Sequence, residues 1–102
     1  MEMNKLLQAI GFEWDGGNID KNWIKHGVSP SECEQMFFNQ PLVVAEDVVH
    51  SEAEERLFAL GKTDDERLLF AVFTVRKDKI RLISARDMSS KERKVYKQYE
   101  SQ

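Results

Sequence analysis

Cysteine is almost missing from this sequence. Cys33 is alone, so no internal disulfide can form, and a cytoplasmic setting is the simplest reading. Histidine is nearly as scarce, with only His26 and His50. Two histidines, one cysteine and scattered carboxylates lack the ligand spacing of a zinc site, so no metal is expected. The short Asp15-Gly16-Gly17 run has neither the length nor the strand-to-helix setting of a phosphate-binding loop or a dinucleotide fingerprint. Ser84-Ala85-Arg86 is not a nucleophile elbow. No apolar run approaches the roughly 20 residues of a membrane span. The longest, Leu68 to Val75, is interrupted by Thr74 and stopped by Arg76. Met1 to Ile10 has a single Lys and no small-residue cleavage site, a poor secretory signal. Any chemistry here is therefore expected to need neither a metal nor a cofactor, and no membrane partner is implied.

What is present suits a globular fold. The 102 residues, 41% of them hydrophobic, are enough for one domain with a modest core. Residues 1–102 read as that single domain, with 1–9 as an extra N-terminal segment in which Leu6, Leu7 and Ile10 add a helical turn or fray. The net charge of −3 hides an asymmetry. Residues 1–61 hold four Lys and Arg against eleven acids, whereas residues 62–102 hold eleven against seven. Such a division marks either a basic working surface on an acidic body or an uneven solvated surface.

Ile10, Phe12 and Trp14 alternate with Gly11 and Glu13, the period of a half-buried strand. A helix is expected next through Ile19, Trp23 and Ile24, stopping at Lys25-His26-Gly27. Ser29-Pro30-Ser31-Glu32 joins an N-cap Ser, a first-turn Pro and a capping-box Glu, so a second helix starts there and ends at Asn39-Gln40-Pro41. Four strands follow: Leu42 to Ala45, Arg56 to Gly61, Leu68 to Val75 and Ile80 to Ala85. Asp64-Asp65-Glu66 and Lys77-Asp78 form the later turns, and a last helix opens with the capping box Ser89-x-x-Glu92. The order β-α-α-β-β-β-β-α predicts an α+β fold: a small antiparallel sheet of four to five strands, two N-terminal helices and a C-terminal helix.

Four blocks of residues resemble the BrnT family of toxins. They are Phe12-Glu13-Trp14-Asp15 with Asn22-x-x-Lys25-His26-Gly27-Val28-Ser29; His50-Ser51 with Glu54-Glu55-Arg56 and Leu60-Gly61; Phe73-Thr74-x-Arg76 with Ile80 to Arg86; and Glu92-Arg93 with Tyr96. The likeness spans about residues 10 to 99, with Asn18 where the family often has Lys and Pro30 where it more often has an aromatic or aliphatic residue. This resemblance implies a RelE-like fold and a cytoplasmic ribonuclease toxin of a type II toxin–antitoxin pair. It also implies a BrnA-type antitoxin in a complex of two toxins and two antitoxins, which represses its own operon. Operator DNA would then be contacted through the antitoxin. Two alternatives stay open: a non-catalytic module that only binds its antitoxin and controls transcription, and a toxin aimed at a protein target.

Cleaving RNA without a metal requires a 2′-hydroxyl nucleophile, a base, a proton for the leaving oxygen, and cations to hold the charge building on phosphate. Arginine suits the last role because its planar fork stays charged and binds two phosphate oxygens. Arg56, Arg76 and Arg86 are the leading catalytic residues, with His26 and Tyr96 as acid–base or stacking groups; Lys25, Arg81 and Lys94 are expected to contact RNA. Each has a plainer reading. An arginine on a strand often pairs with a structural carboxylate. His26 offsets a helix dipole, Tyr96 and Tyr99 pack at helical spacing, and Glu92 caps its helix. Strict alternation along the strand puts Arg86 with Leu82 and Ser84, and Arg81 with Ile83 and Ala85, so those two arginines are expected at different sites.

Overall fold

The computed structural model describes residues 11–15, 17, 26–49 and 55–102. The helix expected through Ile19, Trp23 and Ile24, the RNA contact Lys25, and His50 all lie outside these residues. The described elements are β1 (Gly11–Phe12), α1 (Pro30–Phe38), β2 (Val43–Glu46), β3 (Leu57–Lys62), β4 (Leu68–Arg76), β5 (Lys79–Asp87) and α2 (Ser90–Glu100).

Both helices begin where their capping boxes stand. The Ser29 and Ser89 side chains accept from the backbone N–H of Glu32 and Glu92, and each Glu reaches back to its cap's own N–H. Two of the helix's unpaired first-turn donors are thereby satisfied at each start. Lys77 and Asp78 both take positive φ, the conformation of a two-residue hairpin turn, and so join β4 directly to β5. Gly27 has φ 65°, the left-handed conformation expected of a glycine at a helix stop.

The sheet is five-stranded in the order β1-β5-β4-β3-β2. It is not wholly antiparallel as expected: β1 runs parallel to β5, Gly11 opposite Lys79 and Phe12 opposite Ile80, which makes the sheet mixed. Among the described residues the N-terminal half contributes one helix, α1, where two were expected.

α1 covers one sheet face. Its Cys33 and Met36 are buried against Leu57, Ala59, Leu69, Ala71, Phe73, Leu82 and Ala85, and Phe12 and Phe37 pack at the margin. The helix sits close because β3 presents Gly61. A Cβ there would lie 2.8 Å from the Met36 carbonyl oxygen. Burial raises the Cys33 thiol to about 12, so it stays protonated and unreactive inside the core.

α2 lies on the opposite face, since its Glu92 and Glu100 pair with Arg86 and Lys62, whose side chains point away from α1. Tyr96 is fully buried under α2 and donates its hydroxyl to the Pro41 carbonyl at 2.6 Å. No described buried side-chain N or O lacks a partner.

Candidate functional site

Among the described residues, α2 covers one end of the face opposite α1. Register gives its cross-strand rows: Val43, Leu60, Phe70 and Arg86; then Ala45, Phe58, Val72 and Ser84; then Thr74 and Arg81; then Arg76 and Lys79. Arg56 immediately precedes β3, and the same alternation sets it beside Thr74.

A β-bulge decides which arginines share this face. Val72 pairs with Ser84 but Phe73 pairs with Leu82, so Ile83 is an extra residue in β5. The extra residue resets the alternation. Leu82 and Ala85 both point into the core, and Arg81, Ser84 and Arg86 all point outward. Arg81 and Arg86 were expected on opposite faces and stand on one. Arg56, Arg76, Arg81 and Arg86 thus share a single sheet face, although Arg86 lies four strand residues, roughly 13 Å, from the Arg81 row.

At the open end of this face two carboxylates meet the arginines. Arg81 donates to Glu13 at 2.9 Å and to Asp15 at 2.7 Å. Arg76 stands 4.0 Å from the same Glu13 oxygen. Asp15 and Glu13 hold the Arg81 guanidinium above its ordinary basicity. Arg56 and Arg76 engage further groups of the chain. Solvent reaches the cluster, since the Glu13 side chain is 38% exposed and that of Arg76 47%. Glu13 and Asp15 belong to the first family block, which by itself assigns them no part in the site. The available signal was alternation, which sets both on the side opposite Phe12 and Trp14.

Arg86 belongs to the covered end. Its guanidinium lies 4.2 Å over the Phe70 ring and makes two bonds to Glu92, at 2.8 and 3.0 Å. Glu92 raises the basicity of Arg86, and Arg86 in turn lowers the Glu92 carboxyl. Glu92 therefore serves the helix cap and the arginine together. Burial pushes the Tyr96 phenol up to about 12, and its hydroxyl is committed to Pro41; this is a packing arrangement. Lys94 is exposed on α2.

His26 lies elsewhere. Its carbonyl accepts from Arg67, which pairs with Asp87, five ladder positions along β5 from the Arg81 row, or roughly 17 Å. The structure does not bring His26 to the Arg76–Arg81 cluster. Arg67, for which no sequence motif gave a signal, is the hub at this second end. It donates to both Asp87 oxygens at 2.7 and 3.2 Å, to Glu32 at 3.0 Å and to the Gly27 carbonyl at 2.9 Å. A shallow cavity of about 340 Å³ beside it is lined by Glu66, Arg67, Leu68, Asp87, Arg93 and Lys97.

Among the described residues, no three His, Cys, Asp or Glu side chains group to hold a metal ion, and no helix is long and apolar enough to cross a membrane. No curated protein matches the chain. A family model described as the ribonuclease toxin BrnT of type II toxin–antitoxin systems matches residues 14–92. That span runs from Trp14 through Arg56, Arg76, Arg81 and Arg86 to the Glu92 that holds Arg86. The chain belongs to the BrnT family, the ribonuclease toxins of type II toxin–antitoxin systems, and membership implies an antitoxin partner.

Proposed function

We propose that this protein is a metal-independent endoribonuclease toxin of RelE-like fold, acting in the cytoplasm from the open sheet face that carries Arg56, Arg76 and Arg81. The observation that carries the reading is the Ile83 bulge, which adds Arg81 to the face already holding the other arginines. Glu13, between Arg76 and Arg81, takes the proton from a ribose 2′-hydroxyl. The freed oxygen attacks the adjacent phosphorus, the bond to the 5′ oxygen breaks, and a 2′,3′-cyclic phosphate forms. Arg76 and Arg81 donate to the phosphoryl oxygens as negative charge builds there. The departing 5′ oxygen takes a proton from water at the open face. Arg56 holds the neighbouring phosphate, while Arg86 and Tyr96 fix α2 and act through structure. His26, at the far end, supports the Arg67 hub. A BrnA-type antitoxin, in a complex of two copies of each chain, silences the enzyme by covering this face and supplies the operator contact.

Cleavage of a single-stranded RNA by purified Arg81→Ala, Arg76→Ala and Glu13→Gln tests the assignment. Each variant is expected to lose about 100-fold or more in rate, with an unchanged circular dichroism spectrum. Wild-type protein that arrests growth but leaves every RNA uncut in chelator would overturn it.

A further inference from the structure

α2 carries more positive charge than its fold can use. Its two acids are neutralised, Glu92 by Arg86 and Glu100 by Lys62 at 3.1 Å. Its four cations, Lys91, Arg93, Lys94 and Lys97, are exposed, and among the described residues none forms a contact ion pair, although the charge of Arg93 helps to lower the Asp87 carboxyl. Lys91 and Lys94, Lys94 and Lys97, and Arg93 and Lys97 are spaced three or four apart, so like charges sit side by side on the helix surface and repel. Lys91, Arg93 and Lys94 also stand in the N-terminal half, where the helix dipole disfavours cations. Only Lys97, in the last turn, is favourably placed. Local stability thus works against this arrangement, which points to a polyanion outside the chain.

A second feature adjoins the charge. Val95 and Tyr99, one turn apart, are 40% and 43% exposed. Arg93 and Lys97 border the cavity with Glu66, Leu68 and Asp87, where β4 begins and β5 ends. The helical step of about 100° per residue turns Val95 and Tyr99 to the other flank of α2, where Tyr99 lines a cavity with Gln40, Pro41 and Leu42 at the start of β2. Cations flanking an exposed aromatic that borders a cavity form the pattern of a single-strand path: phosphates follow the charge and a base stacks on the ring.

We infer that the outer face of α2 is a docking track for the backbone of single-stranded RNA, with Arg93, Lys94 and Lys97 on phosphates and Tyr99 as a stacking platform. The inference rests on the ribonuclease reading and adds where the strand lies beyond the bond being cut.

The test is fluorescence anisotropy of a labelled 2′-O-methyl oligoribonucleotide, which resists cleavage at its 2′ oxygens, titrated across a range of salt concentrations. The triple variant Arg93→Gln/Lys94→Gln/Lys97→Gln is expected to lower the slope of log affinity against log salt by about 2, near 0.7 for each lost contact, and to weaken binding about 100-fold at 0.1 M salt. Tyr99→Ala is expected to weaken binding about ten-fold with the slope retained. Lys77→Gln, a cation in the β4–β5 turn, controls for net charge. The triple variant should melt no lower than wild type, because repulsion has been relieved. A triple variant that binds as wild type does, an equal loss in Lys77→Gln, or wild type that fails to bind overturns the track. So does a triple variant that loses antitoxin while keeping RNA, which would assign α2 to an acidic segment of the partner. Cleavage of the unmodified oligonucleotide is scored separately. If wild type binds through α2 without cutting, the track stands and the ribonuclease reading falls.

Discussion

Arg67 shows how one side chain joins distant parts of this sequence. Its guanidinium ties the end of β5 through Asp87, the first turn of α1 through Glu32, and the chain just before α1 through the Gly27 and His26 carbonyls. Arg67 lowers the Asp87 carboxyl. At Glu32, burial works to raise the carboxyl, but bonds from the Ser29 backbone and from Arg67 outweigh it. An isolated surface pair contributes little, but a two-bond fork shared with a second carboxylate and two carbonyls is a network with fixed geometry. Arg67→Ala is therefore expected to cost about 1–2 kcal/mol, read as a lowered urea midpoint at unchanged slope. Arg67→Lys should recover only part of that, because an ammonium has no planar fork for Asp87. Full recovery by lysine would show that the charge alone matters.

At the scale of elements, the Ile83 bulge makes a distinct prediction. Because Ile83 is surplus in β5, deleting it leaves Leu82 opposite Phe73 and Ser84 opposite Val72, with inward and outward sides unchanged. The deletion variant should keep one cooperative thermal transition, within about 2 kcal/mol of wild type. β4 has no surplus residue and pairs on both sides, so deleting Ala71 should abolish cooperative folding by turning half the strand inside out. If both deletions behave alike, the extra residue is not where the register places it. The bulge was hidden in the sequence for a specific reason. Leu82 and Ile83 are both apolar, so the alternation slips without any polar residue marking where. The parallel pairing of β1 was hidden too, since two residues of strand carry no signal for direction. Local chemistry was easier to read. Both capping boxes, Pro30 at the head of α1 and the Lys77-Asp78 turn are written in contiguous residues and hold in the fold. In the site, the arginines were legible by type. Their convergence and the Glu13–Asp15 clamp depend on register between strands nearly 70 residues apart, which no local pattern encodes.

For the whole molecule, the division between an acidic first part and a basic second part acquires a structural meaning. Some of that charge is joined internally: Glu32 meets Arg67, and Glu13 and Asp15 meet Arg81. The basic excess left over is concentrated on α2, so only part of the asymmetry is available to a ligand. These internal contacts also set the response to acid. Glu32, Asp87 and Glu92 all have carboxyls lowered from ordinary values of 4.5, 3.8 and 4.5 in the folded protein. As pH falls toward those ordinary values the unfolded chain takes up protons first, while the folded chain still keeps these groups ionised. Stability from the three carboxylates is therefore complete above about pH 5 and is lost progressively as pH drops through their folded values. Urea midpoints measured from pH 7 to pH 3 should stay level as far as this window and then decline. The decline should be shallower in Arg67→Ala, in which Glu32 and Asp87 have lost their shared partner. A midpoint that holds level down to pH 3, or an Arg67→Ala profile parallel to wild type, would mean that these ion pairs do not couple the two parts of the chain. The charge asymmetry would then have to be explained by ligand binding alone.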